Sequence, residues 1–303
     1  MFGRKSKTYL AWRKLERYYA ALPDRSGAAN LGSSVSKADF DYSLWDAEGI
    51  CLAGEPQTLY YDEQMLRQFS EKLRKGANIY ICLFFFSFLV EFYEADRANY
   101  KYYFFLDRNR IRGYRRGKEF LLKSFPGLLD ASLAKEEIRG FLKSCLNVFR
   151  KRQSLAGETA LISGRESDRE AAKRWIRLWN EEFGWDADPK LTEEQMRTAD
   201  RVFEILKRLV EYCREKEFRP ILVVAPVSRY MKEALPHETI QMCFWQYIER
   251  LAGQGCEVVD FYHSGLFPDE TCFEDALRLS AKGRRVFNEY LRKGESGQCT
   301  NIH

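Results

Sequence analysis

Two serines follow a glycine at the end of the first short apolar run, in the stretch "NLGSSVSKAD" at residues 30–39. A glycine directly after a strand permits a tight bend, and a serine at the start of the next helix gains amides and a dipole that stabilise negative charge. Ser34 could therefore attack an ester carbonyl while backbone N–H groups hold the oxyanion. Serine is also a preferred N-cap residue, so on these residues alone a plain helix cap is the better explanation.

Short apolar runs alternate with helical segments along the chain. The runs predict five strands, near 28–31, 49–53, 78–86, 219–225 and 257–261. The helical patterns lie near 62–75, 192–216, 238–252 and 281–292. This order predicts an α/β fold, a three-layer α/β/α sandwich around a mostly parallel five-stranded sheet. Ligands of such folds lie beyond the carboxyl ends of the strands, which selects the loops at 32–37, 54–58, 85–88, 226–230 and 263–280.

The alternation lapses between residues 93 and 190, where the sequence is charged, helix-prone and rich in tryptophan. This segment predicts an inserted helical subdomain or lid. Residues 28–92 and 191–295 then form the α/β domain, with an amphipathic helix in 1–27 before it and a disordered tail at 296–303 after it. The first helix carries an apolar stripe of Tyr9, Trp12, Leu15 and Tyr19, which could lie on a membrane surface, on a partner or on the chain's own domain.

The composition excludes several classes of protein. The chain has 303 residues, of which 45% are hydrophobic and 15% aromatic, enough for a full core. A net charge of +5 from 49 basic and 44 acidic residues does not describe a nucleic-acid-binding polycation. Eight cysteines form no C-x-x-C pair, so we expect no metal site and reduced thiols in a cytoplasmic protein. No glycine-rich phosphate motif stands at a strand end, which disfavours a nucleotide-dependent enzyme.

Four blocks of the sequence together resemble the SGNH (GDSL-type) esterase and acyltransferase superfamily. They read "NLGSSVSKADFDYSLW", "GICLAGEPQTLYYD", "PILVVAPVSRYM" and "VVDFYHSGLFPDETCFEDALRLSAKGRRVFNEYL". The chain is similar in particular to the bacterial branch linked to capsule and cell-wall polysaccharide modification, which includes the teichoic-acid D-alanyl transfer proteins. The resemblance implies a flavodoxin-like fold with Ser34 as nucleophile. It also implies oxyanion donors at the amides of Ser34 and Gly54, with Gln57 nearby, and Asp275 as the acid of the triad.

Two positions depart from the pattern of that family. The closing frame D-x-x-H reads "DALR" from Asp275 to Arg278, and arginine cannot accept a proton from serine at neutral pH. The block after the third strand reads "LFFFSF", where Ser87 is the one polar candidate for the oxyanion asparagine. His263 follows the last strand and is the best remaining base, because the other two histidines begin a helix or end the chain.

Two functions are therefore compatible with the sequence. The first is an SGNH-like esterase or O-acyltransferase of bacterial surface polysaccharide biosynthesis whose base is missing or displaced. The alternative is a non-catalytic protein on the same scaffold, in which Arg278 and the basic segment 110–116 hold an anionic sugar or a partner enzyme. The expected partners are an acylated or acyl-accepting glycan and a membrane surface or enzyme, without nucleic acid or cofactor. The expected location is the cytoplasm or the inner face of the membrane.

Overall fold

The computed structural model describes residues 3–45, 48–92, 96–139, 168–184 and 191–295. Its contacts divide the chain into two compact units, which we call unit 1 (Met1–Leu22 and Glu94–Arg165) and unit 2 (Pro23–Tyr93 and Glu166–His303). The sequence places these boundaries after residues 27, 92 and 190. The two divisions differ in that the contacts group the first helix with part of the insertion, and residues 166–190 with the sheet. The predicted tail at 296–303 lies outside the described residues.

Unit 2 is built on five strands that all run parallel. They are β1 (Ser26–Leu31), β2 (Gly49–Cys51), β3 (Leu73–Leu83), β4 (Arg219–Val224) and β5 (Glu257–Asp260), in the spatial order β2-β1-β3-β4-β5. In the register of the sheet, Ala29 pairs with Ile50 on one side and with Ile79 on the other. The predicted three-layer α/β/α fold with a parallel five-stranded sheet is confirmed.

The described helices are distributed between both units. They are α1 (Lys7–Ala20), α2 (Ser34–Asp39), α3 (Leu59–Phe69), α4 (Asp96–Asn99), α5 (Arg116–Ser124), α6 (Pro126–Leu129), α7 (residues 131–139), α8 (Asp168–Phe183), α9 (Glu193–Glu215), α10 (Arg229–Ala234), α11 (His237–Ile240), α12 (Gln246–Ala252) and α13 (Ala281–Glu295). Helix α9 begins at a capping box, in which the side chains of Thr192 and Gln195 each accept the other residue's backbone N–H. Its buried stripe includes Val202, Leu206 and Leu209, and it contacts β4 in the sheet.

Two predicted boundaries differ from the structure for reasons that the local sequence explains. Helix α3 ends at Phe69 and β3 begins at Leu73, although the helical pattern runs on to residue 75. The first residues of β3 after Leu73 are polar and exposed, so they carry no apolar signal for a strand. The helix predicted at 238–252 is two helices joined by a π-helical turn at Gln241–Trp245.

Unit 1 buries the apolar stripe of its first helix. Tyr9, Trp12 and Tyr19 are buried, and the Trp12 ring lies 6.0 Å from Tyr100 and 5.8 Å from Phe104, centroid to centroid. Of the three surfaces considered for this stripe, packing within the protein is therefore the one observed. No described helix combines the length and the apolar character that crossing a membrane requires.

Candidate functional site

A cavity of about 250 Å³ in unit 2 opens beyond the carboxyl ends of β1, β3 and β4. The strand order turns back between β1 and β3, and such a switch point is where open parallel sheets bind their ligands. The cavity brings together five of the seven predicted site residues, namely Ser34, Gln57, Ser87, Asp275 and Arg278. The other two, Gly54 and His263, are not among its lining residues.

The turn after β1 presents Ser34 to this cavity. Gly32 has a φ of +117°, and a Cβ at this position would lie 2.7 Å from the carbonyl oxygen of Cys82, so only glycine fits. Ser33 occupies the N-cap position of α2, but its Oγ accepts the amide of Gln57 at 3.2 Å and does not cap the helix. Ser34 is the first residue of α2, and its hydroxyl has no hydrogen-bond partner among the described residues. The side chain of Ser34 is therefore not a helix cap.

A buried carboxylate that the sequence analysis missed holds this turn in place. Oδ1 of Asp62 accepts the amide of Gly32 at 2.8 Å and the Nε2 of Gln57 at 2.7 Å. The same Nε2 also donates to the carbonyl of Leu52 at 2.9 Å. Asp62 lies in the first turn of α3. An acidic residue there is explained by its favourable interaction with the helix dipole, so the sequence gives no sign of its role at the turn.

The Gly54 amide is not directed into the cavity. It donates to the carbonyl oxygen of Gly32 at 3.1 Å, and Leu52 donates to Asn30 in the same way, so the pairing of β2 with β1 continues past the strand ends. The resemblance implies an oxyanion role for this amide, and the observed hydrogen bond leaves that role without a donor in this conformation.

Asp275 and Arg278 form a closed pair at the rim of the cavity. The Arg278 guanidinium donates from Nε to Oδ2 of Asp275 at 2.9 Å, and its Nη2 lies 2.7 Å from the same oxygen. Oδ1 of Asp275 accepts the backbone amides of Leu277 and Arg278 at 2.9 Å each. Burial raises the pKa of Asp275, but the two amides and the Arg278 guanidinium outweigh it, and the net pKa is below its ordinary value. The carboxylate is thus already engaged where the family would orient a histidine.

No imidazole reaches Ser34 in the described part of the chain. Nδ1 of His263 lies 2.6 Å from Oδ2 of Asp260, and its ring centroid lies 4.9 Å from that of Trp245. His263 is thus paired with Asp260 at the end of β5 and does not line the cavity. The loop after β5 does not bring His263 to Ser34, as a role for His263 as the general base would require. Cys82 does line the cavity, but burial raises the pKa of its thiol far above neutral pH, which leaves it un-ionised.

The loop after β3 and helix α8 supply an apolar wall. Ser87 folds this loop into a tight turn, because its Oγ accepts the amide of Phe84 at 2.8 Å and its own amide donates to the Phe84 carbonyl at 2.7 Å. The ring of Trp179 lies 5.6 Å from Phe84 and 5.3 Å from Phe86, and Trp175 lies 5.9 Å from Trp179. Ser87 therefore keeps a hydroxyl proton to donate beside an aromatic surface.

Two buried polar atoms of lining residues have no hydrogen-bond partner in the described structure, Oγ1 of Thr58 and Nε1 of Trp175. Thr58 is only 6% exposed. Buried polar groups are nearly always paired, so these two atoms are exceptions among the residues that line the cavity. In the described ranges, no group of three or more His, Cys, Asp and Glu side chains is placed to hold a metal ion.

Comparison with known proteins gives a distant structural likeness. No family model matches the chain, and no curated protein matches it. Among solved structures, the chain is similar to a protein of Bacteroides fragilis NCTC 9343 that is described there as a "putative acylhydrolase". The similarity has a TM-score of 0.44 and 11% sequence identity, and it covers 97% of this chain and 98% of the other. A likeness this distant carries no conclusion about chemistry.

Proposed function

We propose that the cavity of unit 2 binds an acylated or acyl-accepting glycan of bacterial surface polysaccharide biosynthesis, on an SGNH-like scaffold that lacks serine–histidine catalysis. The observation that carries the proposal is the aromatic wall of the cavity beside polar side chains, two of which, Thr58 and Trp175, each bury a polar atom with no partner in the described structure. A sugar has hydroxyls that both donate and accept hydrogen bonds, and it has apolar ring faces that pack on aromatic side chains. Satisfying one buried polar group removes a penalty of about 1–3 kcal/mol.

The charge arrangement favours binding over turnover. A serine without a positioned general base loses roughly 10²–10⁴-fold in rate, and no histidine among the described residues lines the cavity. Asp275 is held by Arg278, so the orienting acid of a triad is already occupied. Arg278 is exposed over 56% of its side chain, which leaves guanidinium surface for an anionic group on the ligand.

A slow serine esterase or acyltransferase is the second candidate. It is favoured by one observation, the Ser34 hydroxyl that faces the cavity without a hydrogen-bond partner in the described structure. In that case a group other than histidine would have to take the serine proton, such as a ligand hydroxyl, water or the Glu55 carboxylate that also lines the cavity.

Binding can be tested by titrating O-acetylated hexosamines while tryptophan fluorescence is recorded. Trp175→Phe keeps an aromatic wall but removes the indole N–H, and Thr58→Val removes the hydroxyl at nearly constant volume. Each should weaken binding by about two- to tenfold, the value of one hydrogen bond. Trp245→Phe, which lies outside the cavity, is the matched control. Equal affinities for all four proteins would contradict the proposed binding site.

Turnover can be tested separately with a serine-reactive fluorophosphonate. We expect no labelling of Ser34 in the parent protein, and the neighbouring Ser33→Ala and Ser34→Ala variants should be indistinguishable. Arg278→His places an imidazole in the family frame next to Asp275, and it should raise hydrolysis of p-nitrophenyl acetate above background in a Ser34-dependent way. Labelling of the parent that disappears only in Ser34→Ala would instead establish the enzyme.

A further inference from the structure

The two units of the chain differ sharply in charge. In the described residues of unit 1, 3–22 and 96–139, the sequence has 17 Lys and Arg against seven Asp and Glu, a net charge of +10, whereas the whole chain carries only +5. The remainder of the chain is therefore net negative. A basic excess confined to one unit indicates an anionic partner for that unit.

The same unit exposes a group of large apolar side chains. Phe120 on α5 is 61% exposed, Phe125 after it is 41% exposed, and Leu128 on α6 is 70% exposed. The rings of Phe120 and Phe125 lie 6.2 Å apart, and the amide of Leu128 donates to the carbonyl of Phe125 at 2.9 Å. The three side chains are thus near neighbours, and we call them the apolar tip. Exposed apolar groups that cluster in this way mark interaction surfaces.

Basic residues lie on two sides of the apolar tip. Arg116 is one helical turn before Phe120 on α5, and Arg115 precedes it. Both arginines are exposed, and neither forms an ion pair within the described part of the chain. On the other side, a Cβ on Gly3 would lie 2.9 Å from the backbone nitrogen of Gly127, so the N-terminal segment passes directly beside Leu128. That segment continues into two more exposed cations, Arg4 and Lys5.

We propose that the apolar tip and its basic rim dock unit 1 on the surface of an anionic phospholipid bilayer. A soluble polyanion would pair with the arginines but leave Phe120 and Leu128 in water, while an uncharged surface would make no use of the basic excess. A bilayer interface accepts both, because aromatic and aliphatic side chains enter the headgroup region while Lys and Arg remain at the phosphates. The stripe of α1 is not available for this role, since its aromatic residues are buried within unit 1.

The proposal can be tested by flotation of the full-length protein with vesicles. Vesicles of phosphatidylcholine mixed with phosphatidylglycerol should carry the protein upward, and vesicles of phosphatidylcholine alone should carry much less. Phe120→Gln and Leu128→Gln should each lower the bound-to-free ratio by about tenfold, as expected when one large apolar side chain no longer leaves water. Arg115→Gln and Arg116→Gln should each lower it by about fivefold on the anionic vesicles.

Leu178→Gln is the matched control, because Leu178 is 40% exposed but lies in unit 2. It should bind like the parent, and thermal unfolding of every variant should show that the folded state is retained. Absence of binding to anionic vesicles, binding that is indifferent to phosphatidylglycerol, or tip variants that float like the parent would each overturn the proposal. A tip variant that instead changes the sedimentation coefficient would assign this surface to a second copy of the chain and would also overturn it.

Discussion

Asp39 ends helix α2, and its buried carboxyl connects that helix to the loop that carries Arg278. Oδ1 accepts the amide of Leu279 at 3.2 Å, and Oδ2 is buried with no partner in the described structure. Burial raises the pKa of this carboxyl from 3.8 to about 8, helped by the charges of Asp275 and Glu274 and opposed by the Leu279 amide and Arg284. The native protein therefore keeps this proton at neutral pH, whereas the unfolded chain releases it.

Asp39→Asn removes this proton linkage and keeps an oxygen for the Leu279 amide. Between the ordinary pKa of 3.8 and the native pKa of about 8, the native state binds one more proton than the unfolded state. The stabilisation is complete below the lower value, and it is lost by about 1.4 kcal/mol per pH unit as the pH rises through this window. From pH 5 to pH 7 the parent should lose about 3 kcal/mol in free energy of unfolding relative to the variant.

Urea unfolding followed by tryptophan fluorescence at several pH values measures this difference. Asp275→Asn is a control of opposite sign, because the lowered pKa of Asp275 gives stability that is present above its ordinary value and is lost as the pH falls. A difference between parent and Asp39→Asn that stays constant from pH 5 to pH 7 would refute a neutral buried carboxyl at Asp39.

Two further substitutions test the turn that presents Ser34. Gly32→Ala should lower the free energy of unfolding by about 3 kcal/mol, because its Cβ would lie 2.7 Å from the Cys82 carbonyl oxygen at a φ of +117°. The control Gly265→Ala, with a φ of +66° and open space around it, should lower it by about 1 kcal/mol. Equal shifts in thermal unfolding for the two variants would contradict this. Ser36→Ala should cost about 1–3 kcal/mol in urea unfolding, because Nδ2 of Asn30 donates to Ser36 Oγ at 3.0 Å in the buried core, and an unchanged midpoint would show that this bond is dispensable.

The centre of the sheet could be predicted from the sequence because β3 and β4 contain continuous apolar runs. A strand of a covered parallel sheet is buried on both faces, as in "ILVV" of β4, and such a run is visible without any tertiary information. The start of β3 could not be predicted in this way, since the residues after Leu73 are exposed and the register of the sheet shifts before pairing resumes at Asn78. The grouping of α1 with unit 1 likewise depends on contacts with Tyr100 and Phe104, which are distant in sequence.

The candidate site was only partly predictable. The strand-end rule and the family resemblance select Ser34 and Asp275, and the structure brings both to one cavity. Thr58 and Trp175 could not be selected, because a threonine before a helix and a tryptophan on a helix are ordinary residues until every possible partner has a position. Gly54 is the reverse case. The family resemblance selects its amide as an oxyanion donor, but in the structure this amide already donates to the carbonyl oxygen of Gly32.

The raised pKa of Asp39 makes this carboxyl a group to consider as a general base near the site. A carboxyl with a pKa of about 8 is well matched to proton transfer at neutral pH. Geometry nevertheless decides against it, because Asp39 is not among the residues that line the cavity and its Oδ1 already accepts the Leu279 amide. Its contribution is to join the end of the Ser34 helix to the Arg278 loop, which holds two walls of the cavity together. Among the described residues that line the cavity there is no histidine to activate Ser34, so the two walls that Asp39 joins carry the serine without the base of the family pattern.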